Sequence, residues 1–268
     1  MKVAVAGKGG AGKTTFCATA ARLLARSGRR VIAIDGDTNP NLHAAMGLAF
    51  GEDGASIGTP LSMPVSLVSR RFGGPALTVG VDEVLGEYAL VAPDGVFILR
   101  MGVPQHPDEG CMCSAHATVS AVLADLDAEP DTVTILDLEA SPEHLSRGTA
   151  RHADVLLLVA EPYFRSLEAV RLQAQLASET TIKRIAVVAN KCRTPLDIMA
   201  IEEFCERHGL DLVGAVPWSD AVLDADAACT PLLDHDPEGL VVSAIAEVVE
   251  QILRDVQVEP ATTEQMTA

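Results

Sequence analysis

The stretch Gly7-Lys8-Gly9-Gly10-Ala11-Gly12-Lys13-Thr14-Thr15 constrains this chain more than any other. It follows a short apolar run, Val3 to Ala6, and precedes a helical run from Phe16 to Arg26. Backbone N–H donors can converge on one point only where residues tolerate unusual φ/ψ and carry no Cβ in the way, which is what closely spaced glycines supply. The helix that follows adds the partial positive charge of its N-terminus. Spacing and context together are those of a phosphate-binding loop. Lys13 is expected to reach the β and γ phosphates of a nucleotide, the Thr14 hydroxyl to ligate Mg²⁺, and Thr15 to lie near the α-phosphate. Gly9, Gly10, Ala11 and Gly12 line the cradle.

The rest of the chain reads as the scaffold such a loop requires. Short aliphatic runs recur at Val3 to Ala6, Val31 to Ile34, Val96 to Leu99, Val133 to Leu136, Val155 to Ala160, Ile185 to Ala189 and Leu212 to Val216. They have the character of strands buried on both faces. Between several of them apolar residues recur three and four apart, as in Val119, Val122, Leu123 and Leu126, or Val241, Ile245, Val248, Val249 and Ile252. Strands alternating with helices imply an α/β fold, a doubly wound, mostly parallel sheet flanked by helices. Residues 1–255 are read as one domain. Within it, about 47–93 breaks the rhythm with Gly, Pro and scattered apolar residues and is expected to be an irregular insertion. From Asp255 the periodicity is lost, and 256–268 is expected to be a disordered tail.

Charge and cysteine usage narrow the function classes. The 268 residues carry 20 Lys and Arg against 37 Asp and Glu, a formal net charge of -17, which disfavours attraction to nucleic acid or to an anionic membrane. The apolar run before the loop is too short for a signal-peptide core, and no later run is long enough to span a bilayer, so a cytoplasmic location is expected. Six cysteines in a reducing compartment point away from a disulfide framework. Cys17, Cys192, Cys205 and Cys229 read as packing residues, leaving Cys111 and Cys113 as candidates for metal chemistry.

Lys8, a second lysine inside the loop, makes the sequence resemble the deviant Walker A family, which includes MinD, ParA, the nitrogenase iron protein and related maturation ATPases. The resemblance implies a homodimer formed in response to nucleotide, in which Lys8 crosses the interface and stabilises charge on the partner's phosphates, much as an arginine finger does. It also assigns roles elsewhere. The loop Asp35-Gly36-Asp37-Thr38-Asn39-Pro40-Asn41 stands where the family has switch I, with Asp37 as the Mg-linked, water-orienting carboxylate and Asp35 as the alternative. Asp137, at the end of a buried strand, takes the Walker B position. Leu138-Glu139-Ala140-Ser141 stands in for switch II, although Ser141 occupies a place where the family usually has glycine. Asn190-Lys191 resembles the base-reading position. A guanine reader would want an acid where this chain has Arg193, so ATP is the expected nucleotide. Pro217-Trp218 is expected beside the base.

The element Glu109-Gly110-Cys111-Met112-Cys113 offers two thiols per chain, whereas a structural Zn²⁺ or a soft transition metal takes about four thiolate or imidazole donors. Two copies related by a two-fold axis would supply them. Here the resemblance narrows to the CooC-type nickel-insertion ATPases, carried by the phosphate loop, the Gly-Cys-x-Cys, Asp137-Leu138-Glu139-Ala140, Glu143-His144-Leu145, Arg147-Gly148-Thr149, Glu161-Pro162 and Ser166-Leu167-Glu168. It implies an ATP-driven dimeric metallochaperone that holds Ni²⁺ or Zn²⁺ between Cys111 and Cys113 of both chains and serves a client metalloenzyme such as carbon monoxide dehydrogenase. Two other classes stay open. A carrier or reductase would hold a 4Fe-4S cluster at the same thiolates, but the nitrogenase iron protein has a cysteine after switch II and Leu138 to Gly148 contains none. A positioning ATPase of the MinD or ParA sort would want a basic amphipathic helix or a basic face.

Overall fold

The computed structural model describes residues 1–48, 60–71, 74–102, 113–126, 131–146 and 148–258. Strand β1 (Lys2–Gly7) runs into the phosphate loop and α1 (Lys13–Arg26), and β2 (Arg30–Gly36) leads to a one-turn α2 (Leu42–Ala45). A hairpin, β3 (Val68–Arg71) and β4 (Gly74–Leu77), precedes α3 (Val81–Tyr88), β5 (Leu90–Val91) and β6 (Phe97–Arg100). Then come α4 (Cys113–Asp125), β7 (Thr132–Leu138), α5 (Glu143–Ser146), β8 (Val155–Ala160), α6 (Phe164–Ser178) and β9 (Arg184–Cys192). The chain continues through α7 (Pro195–His208), β10 (Asp211–Pro217), α8 (Ala221–Ala227), α9 (Leu232–His235) and α10 (Leu240–Val258).

All seven runs read as strands from the sequence are strands of one sheet, in the order β10-β9-β8-β1-β7-β2-β6-β5. Every pairing in it is parallel except that of β5 with β6 at the edge. β7 inserts between β1 and β2 while β8 lies on the other side of β1, so the direction of travel across the sheet reverses beside β1. At such a switch point the carboxyl ends of neighbouring strands splay apart and leave a ligand crevice, here directly above the phosphate loop.

The strands are apolar on both faces because both faces are covered. Ala4, Ala6, Ile32, Ile34 and Leu136 pack with Val119, Val122 and Leu123 of α4, Val170 of α6 and Ile201 of α7. The alternate residues Val3, Val5, Val31, Ala33 and Ile135 face Phe16 and Leu24 of α1 and Val241, Ile245, Val248 and Ile252 of α10. The apolar stripe of α10 is thus spent on the core. Burying a Val, Leu or Ile side chain of this kind stabilises the fold by about 1.5–3 kcal/mol each.

Three boundaries differ from the sequence reading. The insertion expected to be irregular contains, in its described part, the β3–β4 hairpin and α3. These elements are too short for a period to stand out, and they are held by long-range packing of Leu67, Leu77, Val84 and Leu85 into the core. Helix α10 continues to Val258, because Asp255 is anchored by an ion pair with Arg184 at 2.7 Å and accepts from Gln251 Nε2. Helix α4 starts at Cys113, ahead of the apolar repeat that begins at Val119. No helix among the described residues is long and apolar enough to cross a membrane.

Candidate nucleotide site

The phosphate loop is shaped by its glycines. Gly10 and Gly12 have φ of 79° and 94°, a region that L side chains rarely adopt. Gly12 caps α1 with no side-chain hydrogen bond, so the first-turn N–H groups of the helix are left for a ligand. The loop closes on itself through Ala11 N–H donating to the Lys8 carbonyl at 3.1 Å. Lys13 is 7% exposed, and its Nζ rests 3.4 Å from that same carbonyl, inside the curl of the loop.

Strand ends from across the sheet converge on this loop. Asp35 and Asp137 are register partners on β2 and β7. Asp137 is 2% exposed; its Oδ2 accepts from the Thr14 hydroxyl at 2.6 Å, while its Oδ1 is buried without a partner. Burial pushes the Asp137 carboxyl up to about 7, against the Thr14 hydrogen bond, with the Asp35 charge adding to the rise. A buried carboxylate oxygen without a donor, next to a Thr hydroxyl at the head of a phosphate loop, fits a divalent cation and its water. Of the two switch I acids, Asp35 spends its oxygens on the backbone: Oδ1 accepts from Asp37 N–H at 3.2 Å and Oδ2 from Leu42 N–H at 2.9 Å. Its burial raises it to about 6. Asp35 therefore builds the turn into α2, and Asp37 is half-buried with its Oδ1 on the Asn39 N–H.

β9 contributes a clamp that sequence reading did not foresee. Asn190 Nδ2 donates to the Ala11 carbonyl at 2.6 Å, and Lys191, at a φ of 58°, donates from Nζ to the Gly10 carbonyl. A Cβ on Gly12 would come within 2.5 Å of Asn190 Nδ2, which ties this glycine to its neighbour as well as to its φ. Besides holding the loop, Asn190 lines a cavity of about 500 Å³ with Gly12, Thr15, Pro217 and Trp218, deep enough for an adenosine moiety. The cavity is also lined by Phe16, Ala44, Val216, Leu223 and Ile245 on separate elements, which no local motif announces. Trp218 lies half-buried at the rim, with the Arg193 guanidinium 3.9 Å from its ring centroid and its Nε1 donating to Asp220 Oδ1 at 3.1 Å.

The side chains of the metal candidates Cys111 and Cys113 fall outside what the structure describes. Cys111 lies outside the described residues, and of Cys113 only the backbone, at the first position of α4, is described. Among the described residues no group of three or more His, Cys, Asp and Glu side chains could hold a metal ion. His116 is buried and shares a 2.8 Å hydrogen bond from Nδ1 with the Thr149 hydroxyl. Cys17, Cys192 and Cys205 are buried, in line with packing roles, whereas Cys229 is exposed at a φ of 50° and corrects the reading that grouped it with them.

Residues 2–232 match the CobQ/CobB/MinD/ParA nucleotide binding domain. The chain belongs to that family. This P-loop ATPase is 34% identical to the carbon monoxide dehydrogenase accessory protein CooC of Rhodospirillum rubrum, over 88% of its own length and 91% of that protein's. It is 32% identical to an uncharacterized ATP-binding protein of Methanocaldococcus jannaschii, over 87% and 91% of the two chains. Its fold is similar to that of the septum site-determining protein MinD complexed with Mg-ADP from Pyrococcus horikoshii, with a TM-score of 0.67 at 18% identity, covering 97% of this chain and 100% of that one.

Proposed function

We propose that this ATPase works as a nucleotide-dependent homodimer in the cytoplasm, carrying Ni²⁺ or Zn²⁺ between the Cys111 and Cys113 pairs of two chains and delivering it to a client metalloenzyme of the carbon monoxide dehydrogenase kind. The observation that carries this reading is the divergence of the two loop lysines. Lys13 turns into its own loop, while the Lys8 amine lies outside it, over the Tyr163 ring. An amine aimed away from its own phosphate cradle suits contact with a nucleotide held by a second copy. The similarity to CooC over most of both chains supports the metal cargo and the kind of client.

In this reading the N–H groups from Gly9 to Thr15, apart from that of Ala11, which closes the loop on the Lys8 carbonyl, bind the phosphates together with the Lys13 amine, and Asn190, Pro217 and Trp218 hold the adenine. Thr14 would hold Mg²⁺, with Asp137 and Asp37 acting through its waters; the ion neutralises charge on the transferring phosphoryl group when bound. Asp37 orients the attacking water, and Lys8 from the other chain stabilises the charge that develops. Contacts that differ between the ATP and ADP states would drive closure and reopening, and with them capture and release of the metal. A MinD-like surface role is the weaker reading, since α10 buries its apolar stripe in the core.

Sedimentation with a non-hydrolysable ATP analogue, paired with anaerobic metal binding, tests the proposal. The wild-type chain should dimerise with analogue and bind about one Ni²⁺ or Zn²⁺ per dimer. Lys8→Ala should still bind nucleotide but stay monomeric, and Cys111→Ser should lose the metal while keeping nucleotide. A Lys8→Ala chain that dimerises and hydrolyses ATP normally, or an anaerobic preparation with the visible absorption of an iron–sulfur cluster, would refute it.

A further inference from the structure

The Lys8 amine has a defined resting place. Its Nζ lies 5.6 Å from the centroid of the Tyr163 ring, within the range where an ammonium is attracted to an aromatic face. That ring is itself held. The Tyr163 hydroxyl donates to Glu161 Oε2 at 2.8 Å, and Glu161 Oε1 is 3.0 Å from Lys191 Nζ, the same amine that donates to the Gly10 carbonyl of the phosphate loop. Glu161 is 8% exposed, and the turn that carries it is fixed by its own N–H on Ser166 Oγ at 2.9 Å and by Tyr163 N–H on its carbonyl at 2.8 Å. Lys191 reaches the loop at a φ of 58°, unusual for a residue with a side chain. One carboxylate on the β8–α6 connection thus ties the ring that faces Lys8 to the loop that contains it.

Both oxygens of Glu161 are occupied, one by Lys191 and the other by the Tyr163 hydroxyl. The carboxylate holds the ring, and it is the face of that ring that the Lys8 ammonium meets. A direct buried ion pair would be hard to break, whereas a cation–π contact at a half-exposed ring shifts an equilibrium by only about 2- to 5-fold. That is enough to bias where the amine rests and weak enough to yield to a phosphate, whose charge attracts an ammonium more strongly.

We propose that Tyr163 is a positioning residue for Lys8: its ring, fixed by Glu161 and Lys191, parks the lysine amine against its own chain until a second copy presents a nucleotide to it. The inference rests on the reading of Lys8 as a residue that acts across the dimer. Tyr163 does not touch the nucleotide and acts through the lysine alone. Removing the ring should then favour closure, and only when Lys8 is present.

Two measurements test this on the full chain. In the first, ¹³C-labelled lysine spectra of the nucleotide-free protein, with the Lys8 signal assigned by Lys8→Arg, should show an upfield ring-current shift at the Lys8 ε-methylene. That shift should be lost in Tyr163→Leu and kept in part in Tyr163→Phe, which retains the ring but not its bond to Glu161. In the second, the concentration of ATP analogue at half-maximal dimerisation should fall about 2- to 5-fold in Tyr163→Leu, with no further effect of that substitution on a Lys8→Ala background. An unshifted Lys8 signal in the wild type, an unchanged midpoint, or a change in self-association that persists without Lys8 would each overturn the proposal. A wild-type chain that never dimerises would refute the dimer reading instead, and the lysine spectra alone would then decide whether Tyr163 parks Lys8.

Discussion

Gly12→Ala probes the phosphate loop where backbone and neighbour coincide. At a φ of 94° an alanine is strained by about 1–2 kcal/mol, the penalty of the left-handed region. Its Cβ would also stand 2.5 Å from Asn190 Nδ2, so the amide has to move and its buried 2.6 Å bond to the Ala11 carbonyl is lost. Leaving that carbonyl without a donor costs about 1–3 kcal/mol, for a total of about 2–5 kcal/mol. Asn190→Ala alone should cost only the second part. Since the bond can be lost only once, the double variant should cost about as much as Gly12→Ala, not the sum of the two. Urea unfolding of the nucleotide-free protein, compared at constant slope, measures all three. Additivity within about 0.5 kcal/mol would mean that Gly12 and Asn190 do not press on one another and that the clamp is not as described.

Two further outcomes follow from buried charge. His144 on α5 is buried with both ring nitrogens lacking a partner, and burial, with His116 and Lys13 nearby, lowers it from 6.5 to about 3. At this group the folded state thus binds fewer protons than the unfolded chain between those values. The His144 contribution to stability is whole above about pH 6.5 and falls as pH drops, by up to about 1.4 kcal/mol per unit, or about 2 kcal/mol at pH 5, opposite in sign to the contributions of Asp35 and Asp137, whose carboxyls are raised. His144→Leu should remove that contribution, so its stability relative to the wild type should rise by about 2 kcal/mol between pH 7.5 and 5, and an unchanged difference between the two proteins over that range would refute the assignment. Arg22 on α1 is buried between Asp94 at 2.7 Å and Asp234 on α9 at 2.6 Å, so Arg22→Met should destabilise the fold by about 2–3 kcal/mol. The loss should stay near the lower end of that for a buried pair because both carboxylates keep contact with water; a loss under about 0.5 kcal/mol in thermal or urea unfolding would show the network to be only a surface pairing.

Much of this architecture was legible because its determinants are local. A buried strand, a run of glycines and a helix follow one another within the first turn of the chain, and Val3 to Ala6, Gly7 to Thr15 and Phe16 to Arg26 need no distant partner to be recognised. The same holds for Asp137, since a carboxylate at the end of an apolar strand has few other reasons to stand there. The strands β3 and β4 and helix α3 were missed because they run to only four, four and eight residues, and what stabilises them is packing on the core, not periodicity. Spacing alone puts Asp35 and Asp37 both at a strand end, and the family resemblance is what favours Asp37 as the water-orienting acid; the hydrogen bonds that Asp35 accepts from Leu42 and Asp37 could be seen only in the folded chain.

The sequence by itself determined that this chain binds phosphate on a doubly wound sheet, because glycine spacing, strand character and helix start are properties of neighbouring residues. Only the tertiary structure decided what surrounds the loop. That β8 and β9 lie on one side of β1 brings Glu161, Tyr163, Asn190 and Lys191 to Gly10, Ala11 and Lys8, and this follows from strand order, which an apolar run does not encode. Lys8 could be noticed as an extra amine in the loop; where that amine rests depended on a ring that the chain places far away and the sheet brings back.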